Sequence, residues 1–318
     1  MTVTVQNMGT LLAVLRRVGT MALTLLVTSF LVFSSLYLAP GDPVAFLVKG
    51  RSPSPDQLVA IRHEYGFDKP FPVRYWDWLV GMLHGDFGQS YLFHESVAAV
   101  IGARLPATLL LVAFSTVLII VVGIGLGVLG ALRRGKTTVV LVTVGAAVPS
   151  FTAAIVLRSV FGVRLGWFPT VGTGSGFGDE LDHMVLPAVA LAITFMALVT
   201  RVTRAAMLEE LGREHVEVAM SRGLSRASVI RRHVLRNALG PIVTVSALLI
   251  SGLLVSTAIV ESAFGMSGIG SLLVQSVDEM DFPVVQAIVL LVVAAFVVVN
   301  TIVDLVHPLI DPRVRGAR

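Results

Sequence analysis

Cysteine is absent from the 318 residues. That excludes a disulfide framework, a thiolate metal site and a thiol nucleophile, and it leaves the redox compartment unspecified. Charge is scarce as well. Asp, Glu, Lys and Arg make up 14% of the chain, where a soluble domain carries about 25% to cover its water-facing surface. The seven histidines stand singly, with no H-x-x-x-H beside a carboxylate, so no metal site is read from them. No serine–histidine–acid arrangement can be argued, and the chain reads as non-catalytic. What is abundant is apolar: 55% of residues are hydrophobic and the mean hydropathy is +0.86. So little charge on so large a chain is explained if much of the surface faces lipid.

A bilayer core takes roughly 20 apolar residues as a helix. Runs of that kind occupy 18–38, 106–132, 138–163, 184–200, 241–260 and 284–306. The expectation is an all-α, polytopic membrane protein with six transmembrane helices. The fourth run is short, and Asp182 and His183 are expected to fix its outer end. Arg16 and Arg17 precede the first run as they would a signal peptide. Its apolar stretch nevertheless exceeds the usual length of about 7–15 residues, and Leu36-Tyr37-Leu38-Ala39-Pro40 makes a poor cleavage site.

The net charge of +4 and pI near 9.8 would suggest nucleic acid on a soluble face. The arginines cluster instead at the ends of apolar runs, which is a topology signal. Arg133, Arg134 and Lys136 lie between runs two and three. Arg201, Arg204, Arg213, Arg222, Arg226, Arg231, Arg232 and Arg236 lie between runs four and five, and Arg313, Arg315 and Arg318 end the chain. The loop 261–282 carries Asp278, Glu279 and Asp281 but no Lys or Arg. Positive residues stay inside, so both termini are expected to be cytoplasmic. The resulting organisation is a cytoplasmic segment with the first transmembrane helix (1–40), an extracytoplasmic loop with short helices (41–104), a core transmembrane domain (105–306) that includes a cytoplasmic loop (201–240), and a cytoplasmic tail (307–318).

Within the outer loop, Ser54-Pro55-Asp56-Gln57 reads as a helix start, with a Ser cap, Pro in the first helical position and Gln three residues after the cap. Gly66 offers the stop. A second short helix is expected from about Val73 to His84, with Tyr75, Trp76 and Trp78 suited to the headgroup region.

Two motifs match a pattern without its context. Gly130-Ala131-Leu132-Arg133-Arg134-Gly135-Lys136-Thr137 spells a phosphate loop, yet membrane runs lead into and out of it where a strand and helix of an α/β domain are required. It reads as a tight turn with positive-inside residues. Gly125-Leu126-Gly127-Val128-Leu129-Gly130 spells a dinucleotide fingerprint inside the second run, where glycines such as Gly123 and Gly127 let helices approach closely.

The informative stretch is 201–240. Leu208, Leu211, Val216 and Ala219 recur at helical spacing against polar Glu209, Glu210, Arg213 and Arg222, giving one apolar face. Gly223 is expected to stop that helix and Ser225 to cap a second one containing Val229, Ile230, Val234 and Leu235. His215 and His233 fit hydrogen-bonding or solvated roles. The hairpin could lie at the headgroups or dock a cytoplasmic partner.

Glu217-Val218-Ala219-Met220-Ser221-Arg222-Gly223 resembles the E-A-A-x-x-x-G loop of permease subunits of ATP-binding-cassette (ABC) importers. His233-Val234-Leu235-Arg236-Asn237-Ala238-Leu239 is similar to the form in peptide and nickel importers. The likeness extends along the chain through Leu38-Ala39-Pro40-Gly41-Asp42-Pro43, Gly85-Asp86-Phe87-Gly88, Arg104-Leu105-Pro106-Ala107-Thr108, Leu165-Gly166-Trp167-Phe168-Pro169, Val260-Glu261-Ser262-Ala263-Phe264 and Asp311-Pro312-Arg313-Val314-Arg315. The departures are His233-Val234-Leu235-Arg236 where the general pattern ends I-x-L-P, Val218 in the second alanine position, and His307-Pro308 where an aromatic and a small residue are more common.

The resemblance implies a type I ABC importer permease-like core. It implies a second permease subunit as a heterodimer partner, two cytoplasmic ATP-binding subunits docked on the loop, and an extracytoplasmic substrate-binding protein. ATP and Mg would bind in the partner subunits and no cofactor in this chain. Glu217, Ala219, Gly223, Leu224 and Ser225 would form the ATPase-docking loop, with Gly223 permitting the turn. The location implied is a bacterial inner membrane.

For a pathway, Pro149 and Ser150 in the third run and Ser256 and Thr257 in the fifth are lining candidates, Pro149 because it would loosen its helix and free a carbonyl. Glu261 is a gate candidate, since charge in a bilayer is costly and often functional. Arg158 and Glu261 near outer ends and Asp304 near an inner end also suit snorkelling or packing. Short peptides are the expected cargo, with nickel or another small solute as the alternative in the same class. A secondary transporter or channel would work without ATPases and predicts internal repeats with paired broken helices; no such repeat is seen in the sequence.

Overall fold

A computed structural model describes residues 2–38, 54–64, 68–133 and 144–310. Among them the chain is helical, with one isolated β-bridge between Gln89 and Ser96. By its internal contacts it divides into two units. One is Met1–Pro106 with Leu272–Val297, the other Ala107–Ser271 with Val298–Arg318. The return of 272–297 to the N-terminal unit has no counterpart in the linear reading.

The first unit contains α1 (Thr2–Leu38), α2 (Pro55–Glu64) and α3 (Phe71–Leu83). The start of α2 is a reciprocal capping box. The Gln57 amide donates to Ser54 Oγ at 3.3 Å, and the Ser54 amide to Gln57 Oε1 at 2.9 Å. α3 begins two residues before its expected start, after Pro70, and holds against α1 through aromatic contacts. Phe33 lies 5.6 Å from Tyr75 and 5.2 Å from Trp78 between ring centroids, and Ser29 and Tyr75 share a 2.8 Å hydrogen bond. Of the three aromatics expected at headgroup depth, Trp76 is the one left exposed.

Asp281 organises the far end of the same unit. Its buried carboxylate accepts from Ser90 Oγ at 2.5 Å and from the amides of Tyr91 and Leu92 at 3.1 and 3.3 Å. One acid thus gathers a loop 190 positions away in sequence.

The second unit contains most of α4 (Val97–Leu132), then α5 (Ser150–Leu157) continued by a π-helical stretch (Arg158–Arg164), and α6 (Phe177–Leu211). After these come α7 (Glu214–Ser221) and α8 (Arg226–Val229), the latter carried through a π-helical stretch (Ile230–Leu235) into α9 (Arg236–Ala263). Its core joins Leu111 and Ile119 of α4, Ala153 and Ala154 of α5, Leu186, Ala188, Ala190, Leu191 and Ala192 of α6, and Leu253 and Val260 of α9. The glycines inside α4 divide by face. A Cβ on Gly127 would meet Thr203 and the Thr200 carbonyl of α6 and one on Gly123 would press on Val199, whereas Gly125 faces open space. Close helix approach accounts for Gly123 and Gly127.

Three expectations about the spans change. α6 runs well past both ends of the apolar stretch, and Asp182 and His183 lie inside it. Asp179 and Glu180 sit in its first turn, where carboxylates suit the helix dipole. Pro149 does not loosen a continuing helix. It precedes Ser150 in an extended conformation (φ −61°, ψ 144°), so α5 starts there, and Thr194 Oγ1 of α6 donates to the neighbouring Val148 carbonyl at 3.1 Å. Finally, the count of six is not reached among the described residues. Four helices are long and apolar enough to cross a bilayer, and a fifth if Arg226–Leu249 and Gly252–Ala263, bent by 48°, make one span.

The start of the third run and the second half of the phosphate-loop lookalike lie outside the described residues, as do Gly66, the element at 39–43 and the tail from 311. α10 (Ile269–Asp278) and α11 (Phe282–Ile310) complete the described chain, the latter with its apolar portion at Phe282–Ile302.

Candidate functional site

The segment 201–240 is not the simple hairpin expected from its periodicity. α6 ends at Leu211, Gly212 follows, and Arg213 takes an extended conformation (φ −86°, ψ 145°) before α7 begins. The break resets the helical phase. On α6 the buried residues are therefore Thr203, Met207 and Glu210, with Leu208 only partly buried, while Val216 and Ala219 face inward from α7. Glu210, expected on the polar face, belongs to the buried one. The apolar cluster they join includes Ala131, Val229, Val234, Ala238 and Ile242, so α7 is clasped onto the unit.

Its C-terminus shows why glycine stands where it does. The Gly223 amide donates to the Met220 carbonyl at 3.0 Å and the Leu224 amide to the Ala219 carbonyl at 3.4 Å. These are the two bonds of a Schellman cap, which needs a left-handed residue between them. Gly223 supplies it with φ +76°. Ser225 then caps the next helix, its Oγ accepting from the Ser228 amide at 3.4 Å. Ala219 is buried, whereas Glu217, Val218, Met220 and Leu224 are exposed. The outward side of α7 thus joins the carboxylates of Glu214 and Glu217 to apolar Val218 and Met220, with Leu224 just past its end, a surface suited to protein contact.

Charged groups hold the base of α7. Arg213 donates to Glu209 Oε1 at 2.7 Å, and its Nε lies 3.0 Å from Glu210 Oε1. The Glu209 hydrogen bond and the Glu210 charge together raise the affinity of this guanidinium for its proton. His215 and Asn237 approach to 3.3 Å, linking α7 to the first turn of α9.

The pathway candidates differ in exposure. Pro149 is exposed, Ser150 and Ser256 are half-buried, and Ser256 bonds its own helix at the Gly252 carbonyl. Thr257 is buried and bonds the Leu254 carbonyl. Glu261 is fully buried. Its Oε1 accepts from Thr108 Oγ1 at 2.7 Å and its Oε2 from the Ser271 amide at 3.0 Å, while Thr108 accepts from the Ile269 amide at 2.8 Å. A Cβ on Gly268 would collide with this carboxylate and one on Gly270 with Ala258. The acid therefore ties α4 and α9 to the start of α10. Arg158 donates to the Ala263 carbonyl at 2.5 Å, closing the end of α9 in place of reaching for the interface. The Glu210 and Asp281 contacts escaped the linear reading; for Asp281, an acid in an arginine-free loop was the available signal.

Comparison with known proteins bears on this geometry. The family described as "Binding-protein-dependent transport system inner membrane component" matches residues 119–316, and its N-terminal companion matches residues 10–112. A putative peptide transport system permease protein of Brucella abortus (strain 2308) is 37% identical over 95% of this chain and 98% of its own. A glutathione transport system permease protein of Salmonella choleraesuis (strain SC-B67) is 34% identical over 95% and 98%. In fold, the chain is similar to the inward-facing MetNI methionine ABC transporter, with a TM-score of 0.54 at 18% identity, covering 67% of this chain and 96% of that one. The chain is a multi-pass membrane protein, and it belongs to the family of binding-protein-dependent ABC importer permeases, of the peptide and oligopeptide class, whose members work with ATPase and substrate-binding partners.

Proposed function

We propose that this permease forms half of a translocation pathway for short peptides, paired with a second permease subunit, and converts ATPase closure into alternating access without catalysing a reaction itself. Two cytoplasmic ATP-binding subunits, which hold ATP and Mg, dock on α7. Glu217 orients the contact, Ala219 seats the helix, and Gly223, Leu224 and Ser225 set the turn behind it. An extracytoplasmic binding protein delivers the cargo, and both termini of this chain are cytoplasmic. Pro149, Ser150 and Ser256 are the lining candidates that keep surface free. Thr257 and Glu261 act from within the packing.

The observation that carries the reading is the Schellman-capped α7, clasped by Val216 and Ala219 with its Glu217 face outward. Relatives named for peptide and glutathione transport support the cargo class. The test has two arms. Copurification of the chain with a nucleotide-binding subunit is expected, and a chain that transports in its absence is a secondary transporter or channel. The partner binding protein is expected to retain short peptides; retention of nickel in their place would overturn the cargo.

A further inference from the structure

The acid that the apolar pattern misplaced has a second property. Glu210 is 5% exposed on the inward face of α6, one turn before the Gly212 break. Its Oε1 lies 3.0 Å from Arg213 Nε, whereas its buried Oε2 has no hydrogen-bond partner and points toward His215 Nε2 at 3.6 Å. His215 in turn meets Asn237 of α9. An under-satisfied buried carboxylate is costly to keep, and a hydrophobic residue would fill this place between Met207 and Val216 without that cost. The contacts it makes share one feature: each crosses the Gly212 break between α6 and α7.

We propose that Glu210 is a positioning residue for coupling, fastening α7 to the cytoplasmic end of α6 through Arg213 and His215 so that the two helices move as one lever. Gly212 alone would let α7 swivel, and the apolar cluster resists separation but little rotation, since hydrophobic contact is non-directional. The Glu210–Arg213 ion pair, with Nε 3.0 Å from Oε1, ties a fixed point of α6 to the start of α7 and adds the missing constraint. Removal of the acid would also strand the Arg213 guanidinium beside Glu209 alone. The proposal rests on the reading of α7 as the ATPase-docking helix, but its mechanical content can be measured separately.

The chain has no cysteine, so spin labels at R201C and S221C report the α6–α7 geometry directly. The assembled importer is measured nucleotide-free and vanadate-trapped. With Glu210 present, one narrow distance distribution is expected, unchanged between the two states. In E210Q the distribution is expected to widen at least twofold and to shift with nucleotide state, with the ATPase subunits still bound. R213Q, at a half-exposed position, is expected to give the same widening and serves if E210Q does not assemble. A distribution in either variant as narrow as that of the parent overturns the proposal. Failure of the docking reading looks different: the ATPase subunits would be retained equally by the parent chain and by a chain with a disrupted α7 cap, whatever the label distances.

Discussion

At the scale of single residues, buried acids do the locating. Glu261 and Asp281 each accept hydrogen bonds from several donors on other elements, and both are closed off from solvent. The Glu261 clamp depends on Gly268, which leaves room for the carboxylate. Gly268→Ala is therefore expected to force the acid away from Thr108 and the Ser271 amide, costing about 1–3 kcal/mol as for other overpacked interiors. Thermal unfolding of the purified chain in detergent checks this, with a lowered midpoint expected. Gly125→Ala, at an open position in α4, is the control and should leave the midpoint in place. An equal fall in both would mean that the clamp contributes nothing special. Sequence reading placed Glu261 among gate candidates because charge in an apolar run is conspicuous. Its partners, 153 and 10 positions away, carry no local signature, which is why the clamp itself was not legible.

At the scale of elements, α7 is where local chemistry was most readable. Glycine after a short amphipathic helix and serine two residues later specify a Schellman cap and a new N-cap through short-range hydrogen bonds alone, and both form. The left-handed conformation costs an L-residue roughly 1–2 kcal/mol, a factor of about 5–30 in population. Gly223→Val is accordingly expected to lower ATPase-subunit retention and substrate-stimulated ATP hydrolysis about fivefold or more, with normal membrane levels of the chain. Glu217→Gln should have a milder effect, since that acid is exposed and bonds through its backbone. Full retention and full stimulation in Gly223→Val would make α7 a passive interfacial helix. The same stretch shows where periodicity fails: one glycine at 212 shifts the helical phase, and the inward face passes from Leu208 and Leu211 to Met207 and Glu210.

At the scale of the molecule, the arginine distribution argues for a cytoplasmic α7 and for acid-rich loops on the opposite side. Single cysteines make that testable in a chain that has none. Ser221→Cys is expected to react with an impermeant maleimide only after cells are opened. Ser175→Cys and Asp278→Cys, both at exposed positions, should react in intact cells. Labelling of Ser221→Cys from outside would reverse the orientation and with it the docking of any ATPase.

Composition, apolar runs and charge asymmetry sufficed to make this a helical membrane protein, because the bilayer as solvent admits few alternatives to spanning helices. Caps and turns were likewise local matters, settled within about four residues of each helix end. The tertiary structure decided which polar groups lie inside. Burial of Glu261 and Asp281 depends on donors supplied by other elements, and Pro149 starts a helix beside a carbonyl that Thr194 of α6 satisfies. Such pairings follow from how helices pack across long separations in sequence, and no periodicity along the chain encodes them.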